Sequence, residues 1–126
     1  MKKILVGVDG TEASKKTSHI AADLINPESE VTLITVITEA VKEENIKERI
    51  NKVMDKEASY FKDRGIEVKK EIHYGHPAEI ICNFAAENNF DLIILADKKD
   101  QEKRFLLGGT SDKVVRHAET AVMVVK

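Results

Sequence analysis

Gly108-Gly109-Thr110-Ser111 stands directly before a segment with helical spacing that runs to Ala118. The first N–H groups of a helix have no intrahelical partner, and the helix dipole favours negative charge there. Such a stretch is suited to holding a phosphate. The same residues also make a good helix start, with Thr110 or Ser111 as N-cap, and Asp112 in the first turn serves that use while repelling an anion. A second candidate is Asp9-Gly10-Thr11, which ends the apolar run Ile4-Leu5-Val6-Gly7-Val8. Asp9 there is placed to cap the following helix through an Asx-type turn.

Other chemistries find less support. His76 before Pro77 reads as a turn residue, His19, His73 and His117 lack the spacing of metal ligands, and no Ser-His-Asp, HExxH or paired-carboxylate pattern is recognisable. No general base or metal ligand is identifiable, so an enzyme is the less favoured reading. Cys82 is the single cysteine and lies near an apolar helical stripe, which points to packing rather than redox chemistry. A phosphoacceptor receiver domain needs an acidic pair after its first strand and an aspartate ending its third. Here the third strand runs into His73-Tyr74-Gly75.

The elements that must position the candidates follow from periodicity. Lys3 to Val8 reads as a strand covered on both faces, and Thr11 as the N-cap of a helix with Ala13, Thr17, Ile20, Ala21 and Leu24 on one face. Val31 to Ile37 is a β-branched strand. A helix from about Lys42 to Lys62 carries Ile46, Ile50, Val53, Met54 and Phe61 at helical spacing. Ile66, Val68, Lys70 and Ile72 alternate with charged residues, as suits a strand at a sheet edge. Pro77 opens a third helix, with Ala78, Ile81, Phe84 and Ala85 forming its stripe. Leu92 to Ala96 is a fourth strand, residues 110–118 a short helix, and Ala121 to Val125 a fifth strand. This alternation predicts one α/β domain over residues 1–126, a parallel sheet with helices on both faces. Ligands of such sheets bind beyond the carboxyl ends of the strands, which selects Asp9-Gly10 and the segment after Ala96.

Composition narrows the partners. The 126 residues are 42% hydrophobic and 33% charged, with a formal net charge of −2. That balance lacks the basic face needed to neutralise nucleic-acid phosphates, and no apolar run approaches a membrane span. Met1-Lys2-Lys3 leads straight into the first strand without a secretory apolar region, so a cytoplasmic location is expected.

The stretches ILVGVDGTEAS, EVTLITVI, YGHPAEIICNFAAENNFDLIILA and FLLGGTSDKVVRHAETAVMVV together resemble the universal stress protein family. The resemblance covers essentially the whole chain. It implies a Rossmann-like fold of the adenine nucleotide alpha hydrolase type, with a five-stranded parallel sheet in the order 3-2-1-4-5. It also implies an ATP or AMP site at the ends of strands 1 and 4. There Val8, Asp9, Gly10 and Thr11 form the first loop, Asp9 meets the ribose, and the backbone of Val36 meets the adenine. Mg²⁺ is implied only together with nucleotide, and slow ATP hydrolysis is the most enzymatic activity that the resemblance implies.

The phosphate loop of the family reads glycine, two residues, glycine, nine residues, then glycine with serine or threonine. In this chain its first two glycines fall on Ala96 and Lys99. The third falls on Gly109, followed by Thr110, or on Gly108, followed after Gly109 and Thr110 by Ser111, if the loop is one residue shorter. A non-glycine residue at positive φ is strained by roughly 1–2 kcal/mol, which Lys99 would meet where a glycine is expected. Two functions therefore stand side by side. One is a dimeric stress-response module with a degenerate nucleotide site, its binding weakened or lost. The other is a working ATP sensor in which Lys98, Lys99, Lys103 and Arg104 replace the missing amide contacts. The resemblance places strand 5, Ala121 to Val125, at an edge while it is apolar on both faces, so a homodimer through that strand is expected. A regulatory protein partner of unknown identity is expected as well.

Overall fold

Successive residues of a strand point to opposite faces, and in the first strand this sorts the core into two halves. The computed structural model describes residues 3–38, 44–97 and 109–126. Within them the chain forms β1 (Lys3–Gly7), α1 (Glu12–Leu24), β2 (Glu30–Ile37), α2 (Ile46–Lys62) and β3 (Val68–Tyr74). It continues with α3 (Pro77–Glu87), β4 (Leu92–Ala96), α4 (Thr110–His117) and β5 (Ala121–Val125). Ile4 and Val6 of β1, with Val8, pack against Ala21 and Ala22 of α1 and Ile50, Met54, Ala58 and Phe61 of α2. Leu5, between them, faces the other way onto Ile81 and Ala85 of α3 and Val114 of α4.

The pairings are parallel, as the alternation leads one to expect, and the strand order is β3-β2-β1-β4-β5, as the resemblance implies. With β1 in the middle, the order reverses between β1 and β4, and their carboxyl ends diverge there. The β3 edge is blunted by exposed Lys69 and Lys70, the latter paired with Asp55 of α2. At the other edge, Val122 to Val125 of β5 are only half-buried.

Three local expectations need adjustment. Leu24, placed by periodicity on the inner face of α1, is 66% exposed; the buried face carries Ser14, Thr17, Ser18, Ala21 and Ala22. The helix is rotated toward its serines because their hydroxyls have a buried partner on α2, described below. β3 begins at Val68, two residues later than its apolar alternation, because Ile66 is used to close α2: its N–H donates to the Phe61 carbonyl at 3.0 Å. The described part of α2 begins at Ile46, and Lys42 lies outside the described residues. On α3, partial burial raises the Cys82 thiol above its ordinary value, in keeping with a packing role.

Candidate functional site

The β1–α1 connection is a tight turn held by short-range hydrogen bonds. The Asp9 carboxylate accepts from the Thr11 N–H at 3.0 Å and the Thr11 hydroxyl at 2.7 Å, an Asx-type turn. The Thr11 hydroxyl oxygen in turn accepts from the Ser14 N–H at 3.2 Å, so Thr11 is the N-cap the sequence leads one to expect. Gly10 between them has φ +81°, and a Cβ there would lie 2.9 Å from Val53 Cγ1 of α2. Glycine is required on both counts. The strand end below is fixed by Val8, whose N–H donates to the Ile34 carbonyl at 2.9 Å and whose carbonyl accepts from the Thr35 hydroxyl at 2.8 Å.

Beside this turn lies a cavity of about 240 Å³ at the carboxyl ends of the central strands. Gly7, Val8 and Asp9 form one side, Ile34 and Val36 of β2 a second, and Leu95 and Ala96 of β4 a third. Helix starts complete it, with Pro77 and Ile81 of α3, Thr110 and Ser111 of α4, and Ser14 of α1. Gly7 is glycine because of close approach: a Cβ there would stand 2.6 Å from Leu95 Cδ2, so its absence sets where Leu95 sits in the wall.

Val8, Asp9, Val36, Ala96, Thr110 and Ser111 are thus brought together around one space. Gly10 and Thr11 shape its rim through the turn. Gly109 is the N-cap of α4 with φ −100°, and its carbonyl accepts the Lys113 N–H at 3.2 Å. Thr110 and Ser111 are therefore not the cap; they are the first helical residues, which is what lets them face the cavity. Lys99 and Gly108 lie outside the described residues, as do Lys98, Lys103 and Arg104.

One residue beside the site escapes the reading by motifs. Glu57 of α2 is fully buried, and its carboxylate accepts from the Gly10 N–H at 3.2 Å, the Ser14 hydroxyl at 2.7 Å and the Ser18 hydroxyl. A signal for it exists: Ile50, Met54, Glu57 and Phe61 follow the i, i+4, i+7, i+11 spacing of an inner helical face, so a charge interrupts an apolar stripe. Ser14 and Ser18, one turn apart on α1, are its counterparts.

The model of the universal stress protein family matches residues 1–126. A universal stress protein of Methanothermobacter thermautotrophicus is 28% identical over an alignment spanning 99% of this chain and 95% of its own. The crystal structure of a universal stress protein in complex with cAMP is similar with a TM-score of 0.83 at 20% identity, covering 98% of this chain and 95% of its own. The universal stress protein from Archaeoglobus fulgidus in complex with dAMP gives 0.80 at 16% identity, covering 100% and 98%. At those identities the two structures speak for the fold. The family match, which runs the whole length of the sequence, speaks for more: the chain belongs to the universal stress protein family.

Proposed function

We propose that this chain is a stress-response module that binds an adenine nucleotide weakly in the cavity between β1 and β4. The observation that carries this reading is the convergence of Asp9, Val36 and the first residues of α4 on one cavity. Val36, Ile81 and Leu95 offer apolar surface to a base, Asp9 an acceptor to a sugar hydroxyl, and the start of α4 backbone N–H groups to a phosphate. Similar folds hold cAMP and dAMP, which supports an adenine ligand. The reading of weak binding rests on Ala96 and Lys99, which stand where the family pattern has glycines. Mg²⁺ enters only with a nucleotide that carries it.

Calorimetric titration of nucleotide-free protein tests this. AMP, or ATP with Mg²⁺, is expected to bind weakly, and Asp9→Ala to weaken AMP by about tenfold or more, the loss of a charge-assisted hydrogen bond. No heat with either nucleotide up to millimolar concentration overturns the proposal.

The module is further proposed to act as a homodimer through β5. The strand lies at the edge of the sheet, and Val122, Met123, Val124 and Val125 are half-exposed there. Sedimentation at micromolar concentration is expected to show dimer for the native chain and monomer for Val124→Lys. Monomer in both cases removes the dimer from the reading and leaves the cavity as it is.

A further inference from the structure

We propose that Glu57 is a positioning residue of the nucleotide site, fixing the Asp9–Thr11 turn from behind in the form that receives the ligand. Its two carboxylate oxygens divide the work. Oε2 accepts from the Gly10 N–H at 3.2 Å and the Ser14 hydroxyl at 2.7 Å, and Oε1 accepts from the Ser18 hydroxyl. Ser14 has a single hydroxyl proton. Its oxygen already accepts the Asp9 N–H at 3.0 Å, so that proton is directed to Glu57. Asp9 is thereby held through Ser14, and Gly10 directly. Glu57 itself does not line the cavity, whereas Asp9 and Ser14 do. It acts on the site only through them.

A purely structural role does not account for this cluster. Among the described residues, the partners of the carboxylate are a backbone amide and two hydroxyls, none of them charged. Burying a carboxylate on such partners is costly, and apolar side chains at positions 14, 18 and 57 would pack α1 against α2 at lower cost. Two of the three hydrogen bonds instead act on the turn and on Ser14, whose hydroxyl oxygen accepts the Asp9 N–H. A turn ordered before the ligand arrives spares binding the entropy of ordering it.

The variants Glu57→Gln and Glu57→Leu separate the roles. A glutamine oxygen can still accept from Gly10 and Ser14, while its NH₂ donates to the Ser18 oxygen; leucine offers nothing to any of them. Amide hydrogen exchange of the ligand-free chain is read first. Glu57→Leu is expected to speed exchange at Gly10 by about tenfold or more relative to the core amide of Leu5, and Glu57→Gln to stay within about threefold of native. If leucine fails to fold, Glu57→Asp gives the reading: it keeps the charge but withdraws it by one methylene, and should produce the same selective change at Gly10. A change shared equally by Gly10 and Leu5, or none at Gly10, overturns the proposal. AMP titration is read second and rests on the nucleotide reading above: Glu57→Leu should weaken AMP by about tenfold and Glu57→Gln by less. Equal AMP affinity in all variants overturns the proposal. A native chain that binds no AMP overturns the nucleotide reading alone, and the exchange data still decide the role of Glu57.

Discussion

Gly10→Ala is expected to destabilise the chain by about 2–5 kcal/mol and to remove the nucleotide binding proposed above. The left-handed φ of +81° contributes one part, about 1–2 kcal/mol for a residue with a Cβ. The contact with Val53 contributes the other: a Cβ 2.9 Å from Cγ1 and 3.0 Å from Cγ2 forces α2 away from the turn, and such overpacking costs about 1–3 kcal/mol. Urea unfolding of Gly10→Ala, Val53→Ala and the double variant separates the two. Val53→Ala should relieve the contact, so the double variant is more stable than the sum of the single effects allows. The conformational part should remain. Strict additivity would mean that Val53 does not feel the added methyl.

Phe61→Ala should cost about 3–5 kcal/mol of stability. Its side chain is fully buried against the β1–β2 face, and its carbonyl accepts from the Arg64 and Ile66 N–H groups that end α2. Since a domain has about 5–15 kcal/mol in all, this single change can take much of it. The comparison is Leu24→Ala, which removes an apolar side chain that is 66% exposed and should stay within about 0.5 kcal/mol. Thermal or urea unfolding of both variants tests which face of α1 is inside. A cost of several kcal/mol at Leu24 would show that the rotation of α1 toward its serines is wrong.

Leu24 also shows where sequence reading stops. Alternation and helical spacing gave the nine elements of the described residues in order, and the charged residues of β3 marked it as an edge. The place of the cavity follows from the reversal of strand order at β1 and β4. Each of these depends on residues near one another in the chain, or on a rule of parallel sheets. The orientation of α1 depends instead on a contact between positions 14, 18 and 57, which no period contains. Serine is neutral on a hydropathy pattern, so the apolar Leu24 outweighed Ser14 and Ser18, although hydrogen bonds to Glu57 set the rotation. The cap of α4 was misplaced for a related reason. Thr110 and Ser111 have good capping side chains, but the extended Gly109 already begins the helix and releases them to the cavity.

The alternation in β1 bears on more than packing. Val8 of the cavity wall belongs to the half of the core built with α1 and α2, whereas Ile34, Ile81 and Leu95 belong to the half built with α3 and α4. The pocket is therefore a seam between two hydrophobic bodies that share a sheet and little else. A molecule seated there is a cross-brace. Its binding energy would couple the melting of one body to that of the other, adding about 2.7 kcal/mol at a hundredfold excess over its dissociation constant.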